Sequence, residues 1–314
     1  MPLPEMTSIP RGQSGYSRRE LLAASTALLF SGRLHGQSGS PTREPVIDIH
    51  QHIVYDDRTV EQLIAHQRTM GVSTSVLMPT GDRGEGRPGG SGDHEAVLEL
   101  CRTHRGEFVF FANEISDHAE APKIIERQLR RGAIGIGEQK FRVDCDSPYI
   151  ERIAEVARSF DVPVLMHFEH GRYNRNIERF YRMLERFPTV NFIGHAQAWW
   201  GNIHKNHDQT NNYPRGSVMP GGITDRYLSD YSNCYADLSA GSGYNAITRD
   251  EDRYREFIVR HQDKLVYGSD CSEATGRRPE CVGANILAAI RRLTPNKAIE
   301  RKILYENAKR LLKL

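Results

Sequence analysis

Four short apolar segments of this chain end on side chains that bind metal ions. Val46-Ile47-Asp48-Ile49-His50 runs into Gln51-His52, VPVLMH from Val162 ends on His167, VNFIGH from Val190 ends on His195, and LVYGSD from Leu265 ends on Asp270. Side chains alternate along a strand, so His50 and His52 point to the same side and can share one ion. A lone His-x-His is weak evidence, because two polar residues at a strand end are common. The convergence of four strand ends on such residues is far more specific. Neutral imidazole and carboxylate are the ligands of zinc or another divalent first-row metal, at about 2.0 to 2.2 Å for zinc. A metal held there lowers the pKa of a water toward roughly 7 and polarises a carbonyl or phosphoryl oxygen. Asp270 could then take the water's proton and pass it to the leaving group. His195 would stand by the developing oxyanion.

These residues need a frame that brings strand ends together. Four more runs, STSVLMP from Ser73, EFVFFAN from Glu107, AIGIGE from Ala133 and CYADLS from Cys234, bring the total to eight. Helix-like stretches such as Val60 to Met70, Ala121 to Arg131 and Ile150 to Phe160 lie between them, closed by Gly or Pro. Eight β-then-α units fit a closed parallel (β/α)8 TIM barrel of the α/β class, with catalytic side chains at the C-terminal strand ends. The eighth strand then neighbours the first, placing Asp270 beside His50 and His52, with His167 across the mouth. The rival is an open doubly wound sheet, for which Gly84-x-Gly86-x-x-Gly89 satisfies the dinucleotide fingerprint as letters. That match follows the second run, contains Pro88 and lies in a long loop, so it reads as a loop at the barrel mouth. At the C-terminal end, Ile299, Ile303, Leu304, Ala308, Leu311 and Leu312 fall on one helical face that should pack on the barrel.

IDIHQH, PVLMH, FIGHAQ, YGSD and the terminal Glu306-Asn307-Ala308-Lys309-Arg310-Leu311 resemble the amidohydrolase superfamily, specifically its amidohydrolase-related branch, from about Val46 to Leu314. The resemblance implies a distorted eight-stranded barrel with one or two divalent metals, Zn2+ foremost. In it His50, His52, His167 and Asp270 match metal ligands, and His195 matches a second-metal ligand or a catalytic histidine. Binuclear members carry a bridging group on the fourth strand, where Glu138 resembles the glutamate version. Lys140 sits where many single-metal relatives have lysine, and an inward ion pair of Glu138 with Lys140 or Arg142 is the structural alternative.

Substrate recognition falls to the mouth loops, the longest running from Gln197 to Tyr227. Trp199 and Trp200 could wall a pocket for a planar or apolar substrate, or simply pack the lid. Arg142 or Arg172 could hold a carboxylate by a bidentate pair. His170 reads as a supporting or solvated residue and Asp237 as a hydrogen-bond partner of the centre. His66, His94, His104, His118, His204, His207 and His261 read as solvated.

Composition narrows the function. The 314 residues carry 42 Lys+Arg against 40 Asp+Glu, a formal charge of +2, which provides no wide basic face for nucleic acid. The five cysteines, Cys101, Cys145, Cys234, Cys271 and Cys281, form no C-x-x-C pair, arguing against a disulfide framework or a zinc knuckle. Ser17-Arg18-Arg19-Glu20-Leu21-Leu22 before the apolar stretch Leu21 to Gly32 resembles a twin-arginine export signal. That stretch is too short to span a bilayer of roughly 30 Å, so stable membrane insertion is not expected. Residues 1–40 thus read as signal and spacer, engaging the twin-arginine translocase, and 45–314 as one barrel domain of a periplasmic or secreted enzyme. A homo-oligomer is left open. Metal-dependent hydrolysis of an ester, lactone or amide bond of a small molecule is the leading expectation. A non-oxidative decarboxylase of a carboxylated aromatic compound is the alternative, and a barrel kept only for binding comes third.

Overall fold

A computed structural model describes residues 44–53, 55–79 and 94–314. The twin-arginine-like segment and the Gly84–Gly89 match lie outside them. Among the described residues eight strands follow the expected order: β1 (Ile47–Gln51), β2 (Thr74–Leu77), β3 (Phe108–Phe110), β4 (Ile136–Gln139), β5 (Val164–His167), β6 (Phe192–His195), β7 (Cys234–Asp237) and β8 (Leu265–Val266). All pair in parallel, in one arc of β1 to β3 and another of β4 to β8.

Hydrogen bonds join the arcs at both seams. The amide of Ala112 donates to Gly135 O and that of Gly137 to Ala112 O, each at 2.8 Å. At the other seam Ile49 N donates to Tyr267 O at 3.0 Å and Asp270 N to His50 O at 2.8 Å. The result is a distorted (β/α)8 barrel in which the eighth strand's extension lies against the first. Its strands are shorter than the apolar runs because pairing breaks where backbone bends, with register shifts between Asp48 and Gln51 and between Ile136 and Gln139. Both irregular segments carry candidate ligands, and such bulges re-aim side chains.

The helices form where periodicity and caps agree. Val60–Met70 starts with a reciprocal capping box between Thr59 and Gln62 and stops at Gly71, whose φ of 76° suits a residue without Cβ. Pro148–Phe160 is capped by Ser147 and buries Ile150, Ile153, Ala154, Val156 and Ala157 on one face. The six apolar residues expected of the C-terminal face are all buried, but the helix is not continuous. A π-helical turn, Lys302–Glu306, separates Lys297–Arg301 from Asn307–Leu312. Ala308, Leu311 and Leu312 cluster with Ile47, Ile49, Val76, Leu165, Ile193 and Val266 of the strands, so the terminal helix packs on the barrel itself. Among the described residues no helix is long and apolar enough to cross a membrane.

Candidate metal centre

Six side chains from the ends of four strands, β1, β4, β5 and β6, and from the segment after β8 meet at the C-terminal end of the barrel. His50 Nε2 lies 3.3 Å from His52 Nε2. Asp270 Oδ1 is 3.8 Å from the first and 3.6 Å from the second, and Glu138 Oε2 shows the same two distances. Donors placed tetrahedrally about 2.1 Å from a zinc ion stand about 3.4 Å apart. His50, His52 and Asp270 therefore form one group that could hold a divalent cation, and His50, Glu138 and His195 form another.

The ring nitrogens facing away are engaged. His50 Nδ1 is 2.7 Å from Asp237 Oδ2, and His52 Nδ1 donates to Met78 O at 2.9 Å. Fixing one nitrogen as the donor leaves Nε2 with a lone pair for a cation. Asp270 Oδ1 is buried without a hydrogen-bond partner, as a ligand oxygen aimed at an ion would be.

A second group adjoins the first through the same carboxylates. Glu138 Oε1 is 2.5 Å from His167 Nδ1 and 3.6 Å from His195 Nε2, while Asp270 Oδ2 is 3.7 Å from His195 Nε2. Both Glu138 oxygens are thus directed to histidines, and among the described residues no ion pair within 4.0 Å joins Glu138 to Lys140 or Arg142. Lys140 Nζ lies over the Tyr173 ring at 5.9 Å and Arg142 is exposed.

Charge follows from these contacts. Burial pushes His52 down to about 4, and burial with His50 nearby lowers His195, so both are neutral donors at neutral pH. Burial opposes charge on His50 as well, but Asp270, Asp237 and Glu138 outweigh it and raise its pKa. Glu138 is buried, which alone would raise its pKa. Lys140 and then His167 reverse this and hold its carboxyl well below the usual range.

Supporting residues surround the ligands. Asp237 Oδ2 also accepts from Ser239 Oγ at 2.7 Å, and Ser239 Oγ is 3.0 Å from His195 Nδ1. Asp48 accepts the amides of His50 and Ser269, and Arg58 donates to Gln51 Oε1 at 2.6 Å and His52 O at 3.0 Å. Asn113 Nδ2 holds Glu138 O at 2.9 Å. Asp48, Ser239 and Glu169 were open to strand alternation, each two residues from a ligand or from Asp237. Arg58 and Asn113 carried no local signal.

The substrate-side expectations divide. Arg142 and Arg172 line an open basin of about 530 Å³ with Glu169, His170 and Arg175. Glu169 links it to the centre, with Oε2 3.6 Å from His167 Nε2 and Oε1 accepting from Arg172 at 3.3 Å. His170 is exposed there. Trp199 and Trp200, read as walling a pocket or packing the lid, are buried in the core. Trp199 stacks on Phe168 at 5.5 Å and covers Gly194, where a Cβ would stand 2.2 Å from the indole. Trp200 donates Nε1–H to Asp237 O at 2.9 Å. A five-residue helix, Gln197–Gly201, turns both rings inward. His66 and His261, read as solvated, are also buried, the first on Cys281 and the second on Asp225.

A closed parallel barrel with imidazoles and carboxylates gathered at its C-terminal strand ends defines a TIM-barrel enzyme. The chain belongs to the Amidohydrolase family, whose model matches residues 47–314, and is an enzyme of the amidohydrolase superfamily. Comparison with curated proteins gives no match. Among solved structures, an uncharacterised TIM-barrel protein of Bordetella bronchiseptica aligns at TM-score 0.64 and 14% identity, covering 86% of this chain and 98% of that one. A probable 2-pyrone-4,6-dicarboxylic acid hydrolase of Acinetobacter baumannii aligns at 0.59 and 13%, over 86% and 99%. The 5-carboxyvanillate decarboxylase of Sphingomonas paucimobilis aligns at 0.53 and 11%, over the same shares. At these identities the likeness is one of fold.

Proposed function

We propose that the protein is a metal-dependent hydrolase that cleaves an ester, lactone or amide bond of a small carboxylated substrate. The observation that carries this reading is the position of Glu138, whose Oε2 faces His50 and His52 while Oε1 faces His167 and His195. His50, His52, Glu138 and Asp270 would hold one divalent cation, zinc foremost, and His167 and His195 would ligate a second. When bound, the metal supplies Lewis acidity and makes water a nucleophile near neutral pH.

The chain's own groups supply the rest. Asp270 is 11% exposed at the mouth, so its carboxylate can take a proton from an attacking water and return it to the leaving group. His195 Nε2, 3.7 Å from Asp270 Oδ2, stands where it can steady the developing oxyanion if only the first group is filled. Asp237 holds His50 in orientation, and Arg142 and Arg172 present guanidinium forks to a substrate carboxylate.

Decarboxylation is the second reading, favoured by one contact. The 2.5 Å hydrogen bond from His167 Nδ1 engages Glu138 without a second cation, leaving His50, His52 and Asp270 for a single ion. Metal per chain in wild type and Glu138→Ala separates the two. One ion fewer in Glu138→Ala than in wild type supports the hydrolase. A count unchanged by the substitution, with CO2 released from carboxylated aromatics, supports the decarboxylase, and no metal after reconstitution defeats both.

Export through the twin-arginine route to the periplasm or beyond belongs to the same proposal and rests on Arg18-Arg19 and the apolar stretch after them. Because that route carries folded proteins, a metal could be loaded before export. Appearance of mature enzyme outside the cytoplasm after Arg18→Lys and Arg19→Lys would defeat it.

A further inference from the structure

Beginning at the residue after Asp270 lies a cluster of soft donors that the proposed reaction does not use. His66 and Met70 sit one turn apart on the helix Val60–Met70 and share a face. Cys271 follows Asp270, and Cys281 is the N-cap of the helix Val282–Leu293. Cys281 Sγ is 3.2 Å from His66 Nε2, 3.5 Å from Cys271 Sγ and 3.6 Å from Met70 Sδ. His66, Cys271 and Cys281 are all buried.

We propose that His66, Cys271 and Cys281 form a second, sulfur-rich metal site for a thiophilic divalent cation such as Zn2+, separate from the nitrogen and oxygen donors at the barrel mouth. Tetrahedral zinc places a nitrogen and a sulfur ligand about 3.6 Å apart and two sulfurs about 3.8 Å apart. The observed separations come within half an ångström of these, so small side-chain rotations admit the ion. The Met70 thioether closes a fourth side.

Charge favours a divalent occupant. Two thiolates, a neutral imidazole and Zn2+ sum to zero, which is what a buried site tolerates. His66 also distinguishes a metal site from a simple thiol pair, since a disulfide needs no imidazole. Its other nitrogen, Nδ1, lies 3.4 Å from Gln67 Nε2, a donor, so ligation through His66 Nε2 requires the Gln67 side chain to turn its Oε1 to Nδ1–H.

The site would clamp three segments together at a critical place. Cys271 O accepts from Gln51 Nε2 at 3.0 Å and from Arg58 at 2.5 Å, so the residue after Asp270 is tied to the residue between His50 and His52. An ion on Cys271 would steady the segment that carries Asp270. This holds whichever reaction the enzyme performs.

The test uses the full chain, purified with reductant, stripped of metal and titrated with Co2+ alone. The mouth cluster has no sulfur donor, so thiolate-to-cobalt charge-transfer absorption in the near ultraviolet reports on this site only. The expected result is such a band with the amplitude of one thiolate-bound cobalt per chain, retained in His52→Ala, lost in Cys281→Ser and weakened at least tenfold in apparent affinity in His66→Gln. Serine keeps the helix cap, so Cys281→Ser is expected to fold, and elemental analysis should show one zinc fewer than wild type. Absence of the band from wild type with free thiols overturns the proposal. So does a wild-type zinc content unchanged by Cys281→Ser, or recovery of Cys271 and Cys281 as a disulfide that excludes cobalt.

Discussion

Asp237 Oδ2 lies 2.7 Å from His50 Nδ1, although the two residues are 187 positions apart in the chain. The contact fixes which nitrogen of His50 faces Glu138 and Asp270, so a carboxylate that touches no substrate sets the ligand geometry. In Asp237→Asn the amide would present a donor to Nδ1 and turn the imidazole to the tautomer with a proton on Nε2. Metal affinity should fall about 10- to 100-fold, read by competition with a chromophoric chelator. Unchanged affinity would count against His50 as a ligand.

Truncating Trp199 separates core packing from substrate contact. Its indole is fully buried against Phe168 and over Gly194, so Trp199→Ala should cost about 3–5 kcal/mol of unfolding free energy in urea titration. A side chain at a pocket wall would change stability little and substrate binding much.

Arg142 and Arg172 face the basin joined to His167 through Glu169. Removing either guanidinium should raise KM for a carboxylated substrate by roughly ten- to a hundredfold, the loss of a charge-assisted hydrogen bond of about 1.5–3 kcal/mol. An uncarboxylated analogue should be unaffected. Equal effects on both would show that the arginines do not read the carboxylate.

Asp225 gives the fold an acid-sensitive tie. Burial alone would raise its pKa, but the hydrogen bond with His261 at 2.7 Å, the Gly221 amide and Arg260 hold it below the usual range. A depressed carboxyl contributes stability in full above its unfolded pKa of about 3.9, and that contribution fades as pH falls through the folded value. Unfolding of wild type and Asp225→Asn from pH 7 to pH 3 should show a gap that narrows toward acid. A gap constant with pH would assign the loss to packing.

Much of the centre was legible because its chemistry is local to strand ends. His50, His52, His167, His195, Asp270 and Glu138 each occupy the last residue of an apolar run or the residues just beyond it, and the eight-unit rhythm determines that such ends converge. Strand alternation by itself places His50 and His52 on one side, and their Nε2 atoms do meet. The C-terminal helical face was likewise readable from period alone, although the π-helical turn within it was not.

What only the tertiary structure decided depends on contacts between residues distant in sequence. Sequence shows that Trp199 and Trp200 follow His195 closely, but a short helix after β6 turns them inward, and no local pattern records that turn. The choice of Glu138 between an ion pair and a set of histidines rests on where β1, β5 and β6 place their ends around it. Cys271 and Cys281 are ten residues apart, yet their meeting with His66 spans more than two hundred, from one helix of the barrel's outer layer to the last turn before another. Local sequence determines which way a side chain leaves its own strand or helix; which partner it then meets is set by closure of the barrel, because closure brings the first and last units side by side.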